Sequence, residues 1–257
     1  MKAFKKANKE RRAVLANRAG FNTPDEYKTF LEEQILKDIQ TSDAEEVTAP
    51  SGDIVVHNVH ILDASGSMDG LKLRNAVLGI NGEVKELRQD TETNYLHTSV
   101  RFGSRSETLN FRDTLDNVKD MNQRILGMTA LNQTLGETLE RLRDNVQPNE
   151  VTVVKVFTDG GENVSFGKYR DSRTLRELIK ECESHKITVT FVGQQNDVQR
   201  VVNTLGVDES NTLVHNNTGQ AVMDSFAVTR SATKAYVAKA KLGEDTLVGF
   251  YKGSGEL

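Results

Sequence analysis

The sequence predicts an α/β fold: a mostly parallel central sheet with helices on both faces. Three observations predict it. From residue 53 onward, short β-branched runs alternate with amphipathic helical segments. Two of those runs, VTVVKVF and ITVTFV, are apolar enough for strands covered on both faces. A third, Tyr95–Phe102, is followed closely by a shorter run at 107–111, so the pair reads as a hairpin and supplies one antiparallel edge strand.

Taken in order, residues 1–50 form an N-terminal helical arm and linker. Residues 2–18 read as a basic helix ending at Gly20. A second helix starts at Thr23, with Pro24 suited to its first turn and Thr23 and Glu26 at capping-box spacing. Tyr27, Phe30, Leu31, Ile35 and Ile39 give it a face to bury, and the polar stretch 40–52 is the linker. The main domain spans 51–240. It opens with a strand at Ile54–Leu62, then a helix over 70–89 whose stripe is Leu73, Val77, Ile80, Val84 and Leu87. After the hairpin come a helix at 131–145, a strand at Val151–Thr158, a helix at 172–185 and a strand at Ile187–Gly193. A helix at 196–205, a short strand at 212–215 and a helix at 218–236 complete it. The tail, 241–257, is expected either to add an edge strand or to hang free.

Hydrophobic residues make up 37% of the 257, enough for a real core. No stretch approaches the ~18 consecutive apolar residues of a membrane span. The N-terminus is too polar for a classical secretory signal. The single cysteine, Cys182, sits in a helical pattern as a buried, inert thiol and excludes an internal disulfide. The expected setting is therefore cytoplasmic or particle-associated. A net charge of −4 argues against general nucleic-acid affinity. Residues 1–20 nevertheless carry seven Lys/Arg against one acid, and residues 21–50 carry eight acids against two Lys. The blocks pair with each other, or the basic arm meets an acidic partner or nucleic acid.

Ligands of open parallel sheets collect beyond the carboxyl ends of the strands. There the sequence places Asp63-Ala64-Ser65-Gly66-Ser67 after the first strand and Thr158-Asp159-Gly160-Gly161 after the fourth. Gly127-Met128-Thr129 stands just before a helix. Asp63, Ser65, Ser67, Thr129 and Asp159 offer two carboxylates and three hydroxyls, with no thiol or imidazole. An all-oxygen set of modest charge suits Mg²⁺ or Mn²⁺ better than a tight Ca²⁺ cage, though Ca²⁺ stays among the candidates.

These residues resemble a known family. Asp63-x-Ser65-x-Ser67 fits the D-x-S-x-S signature of the metal ion-dependent adhesion site of von Willebrand factor A domains. Thr129 in GMTALNQTL and Asp159 in VFTDGGEN follow in that family's order. The resemblance covers roughly residues 53–236, and the stretch from FVGQQNDVQ to FAVTRS resembles small stand-alone members from bacteria and phages. It implies a Rossmann-like fold with Ser65, Ser67 and Thr129 on the metal. Asp63 and Asp159 would act directly or through water, and a partner protein's Asp or Glu would complete the coordination. It also implies that the last helix, 218–236, can move with the state of the site.

An enzyme reading fares worse. A phosphotransferase of the haloacid dehalogenase type needs a second carboxylate where Ser65 stands. No G-x-S-x-G elbow, dinucleotide fingerprint or P-loop is present. The five histidines form no spaced metal motif, and His57, His60 and His97 fall inside strands as packing or surface residues. The sequence therefore predicts a non-enzymatic, metal-dependent protein-binding adaptor. The alternative is a structural or assembly component of a larger, phage-type particle in which the metal is mainly structural. An accessory subunit of an AAA+ ATPase rests on analogy alone.

Overall fold

The runs marked by β-branched and aromatic residues pair into a six-stranded sheet in the structure, a computed structural model that describes residues 54–159 and 161–252. The helices and linker expected before residue 53 lie outside the described residues. Strand β1 (Val55–Asp63) is followed by helix α1 (Leu71–Leu87), then β2 (Asn94–Phe102) and β3 (Ser106–Thr114). Next come α2 (Leu131–Arg143), β4 (Glu150–Phe157), α3 (Ser172–Ser184) and β5 (Ile187–Gly193). The series closes with α4 (Gln195–Leu205), β6 (Thr212–Val214) and α5 (Gly219–Lys241). The order across the sheet is β3-β2-β1-β4-β5-β6, with β3 alone antiparallel to its neighbour. This is the Rossmann-like α/β arrangement that the alternating pattern predicts.

Alternation along the strands assigns the two faces. Val59 and Ile61 of β1 join Val154 and Val156 of β4 beneath Leu131, Leu135 and Leu139 of α2 and Leu175 and Ile179 of α3. Leu62 and Phe157 point the other way, onto Leu73, Val77 and Ile80 of α1 and Phe226 of α5. Each fully buried side chain of this size stabilises the fold by about 1.5–3 kcal/mol. The Phe226 ring stacks on Phe157 at 4.3 Å. Residue 79 of α1 is glycine because a Cβ there would fall 2.3 Å from that ring.

Three details differ from expectation. Helix α5 runs five residues past 236, because Val237 and Ala240 continue its buried face. Strand β3 extends beyond 107–111, with register shifts opposite His97–Val100 and Arg112 at φ 54°. The tail neither adds a strand nor hangs free over its described part. Asn211 Nδ2 donates to the Leu247 carbonyl (2.6 Å) and its Oδ1 accepts from Phe250 N–H (3.0 Å), which buries Phe250 against Tyr236.

The layer between the sheet and α1/α5 is polar at its centre. Lys155, which reads as an interruption in an apolar run, is fully buried and ion-paired to Glu83 of α1. His60 Nε2–H donates to the other Glu83 oxygen (3.0 Å), and the Thr233 hydroxyl lies 2.9 Å from the first. Burial alone would raise the Glu83 pKa, but Lys155 and His60 more than offset it and hold the carboxylate well below its ordinary range. On the opposite face His57 Nδ1–H donates to Glu150 (3.0 Å), which also takes a bidentate pair from Arg112 (2.8 and 2.7 Å). His57, His60 and His97 are thus buried within the two layers. Among the described residues no helix is long and apolar enough to cross a membrane.

Candidate metal centre

Strands β1 and β4 are adjacent and parallel, with Leu62 opposite Phe157, so their following loops leave the sheet at the same edge. That places Asp63 and Asp159 side by side although 96 positions separate them in the chain. After Asp63 the backbone enters a short 3₁₀ turn, Gly66–Met68, anchored by buried Met68. The loop before α2 crosses this turn: Leu126 N–H donates to Ala64 O and Gly66 N–H to Gly127 O, both at 2.8 Å. Gly127 has φ 94°, in the region that favours glycine, and a Cβ there would meet Ser104 Oγ at 2.6 Å. The same Ser104 hydroxyl accepts from Met128 N–H (2.9 Å), and Thr129 then exchanges two hydrogen bonds with Asn163, its N–H to Oδ1 (3.0 Å) and its carbonyl from Asn163 N–H (3.1 Å). These bonds seat Thr129 at the start of α2 on the same rim.

The five expected residues are therefore on one edge, and three form a continuous chain of oxygens. Ser65 Oγ lies 3.0 Å from Ser67 Oγ, which donates to Asp159 Oδ1 at 2.7 Å. Asp63 is fully buried: its Oδ1 accepts from Ser65 N–H (2.8 Å) and its Oδ2 from the Thr158 hydroxyl (2.7 Å). Burial pushes its carboxyl above the ordinary range, the bonds from Ser65 and Thr158 pull it back, and neighbouring Asp159 pushes it up again. No cation among the described residues pairs with it. Thr129 is 3% exposed, and its hydroxyl is not among the buried polar atoms left without a hydrogen-bond partner.

These features fit a small divalent ion. Among the described residues no three His, Cys, Asp or Glu side chains converge on a possible metal position, so any site here rests on hydroxyls plus two carboxylates. Adjacent ligands of an octahedron with bonds of 2.0–2.1 Å stand about 2.9 Å apart, the spacing already present along Ser65, Ser67 and Asp159. A buried carboxylate without a cation is costly unless a ligand completes it.

The sequence reading missed what surrounds the five. Asp159 Oδ2 is ion-paired to Lys72 in the first turn of α1, and Lys72 also donates to Asn217 Oδ1 (3.0 Å). The Asp159 carbonyl accepts from Gln194 Nε2 (2.8 Å), tying the loop to the start of α4. Thr158 and Asn163 position Asp63 and Thr129. Only Thr158 carries a local signal, standing directly before Asp159. Cys182 lies away from this edge, its thiol pushed up to about 12 by burial.

Solved structures share this architecture. The chain is 15% identical to the PilB minor pilin from Streptococcus sanguinis, with a TM-score of 0.51 over 72% of this chain and 62% of that one. Its D319A mutant gives 14%, 0.53, 77% and 65% in the same order. Proximal thread matrix protein 1 from the mussel byssus is 15% identical, with a TM-score of 0.50 over 74% of this chain and 46% of that one. The chain thus spans less than two thirds of each, and the likeness is one of fold. No curated protein matches the sequence. The family model for the von Willebrand factor type A domain matches residues 59–227, more than half of the chain, and the chain belongs to that family.

Proposed function

We propose that this protein is a metal-dependent protein-binding module. Asp63, Ser65, Ser67, Thr129 and Asp159 hold Mg²⁺ or Mn²⁺, and an Asp or Glu of a partner protein completes the coordination. A bound divalent ion would supply an electron-poor position for that carboxylate, since neutral hydroxyls donate little charge. This chain's residues fix the five oxygens, and we assign the edge to binding without catalysis. Its setting in this reading is cytoplasmic or particle-associated.

The observation that carries the reading is what surrounds the oxygen cluster. Leu71, Ile125, Met128, Phe166 and Val214 are five of the eight large apolar side chains exposed among the described residues, and all five stand on loops or element ends at this edge. Exposed apolar groups gathered beside a polar centre mark an interaction face. Affinity capture by the full chain in Mg²⁺ and then in EDTA tests the reading. Partners should be retained in Mg²⁺, released by EDTA and absent from an Asp63→Ala bait. Equal recovery under all three conditions would overturn it.

A further inference from the structure

We propose that Lys72 is a built-in counter-charge of this centre, which weakens its hold on the metal and leaves the loaded site net positive for an anionic ligand. The inference rests on the reading of the five oxygens as a metal site. Lys72 is the second residue of α1, and its side chain is 17% exposed. Its ammonium reaches Asp159 Oδ2 and Asn217 Oδ1, while the other oxygen of Asp159 is held by Ser67. The Asp159 side chain is 1% exposed, so this ammonium neutralises a buried carboxylate. Asn217 stands one residue before Thr218, the N-cap of α5, and one turn along α1 Asn75 Nδ2 donates to Gly219 O (2.8 Å). Two residues of α1 thus grip the start of α5, and the lysine is held in place.

The charges then decide the outcome. Asp63 and Asp159 bring two negative charges, and Lys72 returns one. Asp197 and Arg200 of α4 stand over this loop with opposite charges, while the Glu162 carboxylate is turned onto the Asn132, Val164 and Ser165 N–H groups and Asp69 onto the Gly70 N–H. Among the groups that touch the oxygen cluster itself, a divalent ion added to a residual charge of −1 leaves +1, which keeps an attraction for a carboxylate. Without Lys72 the loaded site would be neutral. It would bind metal more tightly, on the order of tenfold or more for one unit charge at this range, and a carboxylate less tightly.

Titration of the full chain with Mn²⁺ by calorimetry tests this on wild type, Lys72→Gln and Lys72→Arg. Glutamine removes the charge and keeps an N–H donor of slightly shorter reach toward Asp159 and Asn217. Lys72→Gln should bind Mn²⁺ about tenfold more tightly or better, while Lys72→Arg stays within about twofold of wild type. Its metal-free melting temperature should fall and its gain on adding Mn²⁺ should exceed that of wild type. Mn²⁺ affinity in Lys72→Gln equal to or weaker than wild type would overturn the inference and leave the metal site standing. Failure of all three proteins to bind Mn²⁺ would overturn the metal reading itself, and this inference with it.

Discussion

Replacing Lys155 by methionine removes the one ammonium that balances Glu83 inside the layer between the sheet and α1/α5. Both side chains are buried, at 0% and 2% exposure. With Lys155 gone, Glu83 keeps only the His60 N–H at 3.0 Å and the Thr233 hydroxyl at 2.9 Å, and its charge is left without a full counter-ion. Breaking a buried pair from one side costs about 3–5 kcal/mol. Protonation of His60 offers partial relief, because the Lys155 charge that helps depress its pKa is lost with the lysine, so the cost should fall toward about 3 kcal/mol. For a domain of this length that lowers the melting temperature by roughly 6–12 °C. Removing both charges, in Glu83→Leu/Lys155→Met, strands only His60 Nε2–H and should cost about 1–3 kcal/mol, less than Lys155→Met alone. Urea unfolding followed by far-ultraviolet circular dichroism at pH 7 measures all four corners of the cycle. A Lys155→Met protein within about 0.5 kcal/mol of wild type, or a double variant that loses the sum of the singles, would refute the reasoning.

Acid should destabilise the fold early. Burial lowers the pKa of His57, His60 and His97, helped at His60 and His97 by the Lys155 charge, so the unfolded chain takes up protons first. Stability is then full above about pH 6.5 and falls below it, at up to ~1.4 kcal/mol per pH unit for each histidine. Glu150, held down to about 2 by the His57 and Arg112 bonds against its burial, adds a further loss as pH drops through the ordinary carboxylate range. A urea midpoint that stays flat from pH 7.5 to 5 would contradict this. Gly136→Ala should destabilise although alanine favours helix. Its Cβ would fall 2.4 Å from the buried Tyr169 ring, and the ~1–3 kcal/mol of overpacking outweighs a propensity gain of up to ~1. A melting temperature at or above wild type would show that Tyr169 moves aside freely.

The sequence made the order of strands and helices legible because each element carries its own period. Leu73, Val77, Ile80, Val84 and Leu87 recur at helical spacing, and all five are buried on α1. The gathering of the five candidate residues on one edge was legible for a related reason, since each sits in a short loop directly against a strand or helix end. Pairings that bind distant segments were not. Lys155 meets Glu83 across 72 residues and Lys72 meets Asp159 across 87, so neither lysine differs locally from a solvated one. Residue 155 in particular looks like a surface break in VTVVKVF, whereas its charge is buried and balanced from another element. The docking of residues 245–252 escaped notice likewise, because Asn211 supplies the donor and acceptor that hold it.

Thr129→Val tests the central claim most directly, because it removes one hydroxyl and keeps the shape of the side chain. Thr129 is held through its backbone, its N–H to Asn163 Oδ1 and its carbonyl from Asn163 N–H, and valine keeps both bonds. Mn²⁺ titration of the variant beside wild type, with metal-free unfolding measured in parallel, is the experiment. The account predicts metal-free stability within about 0.5 kcal/mol of wild type and Mn²⁺ affinity lower by at least about tenfold. Undiminished affinity in Thr129→Val would contradict the assignment of these five oxygens as a metal centre.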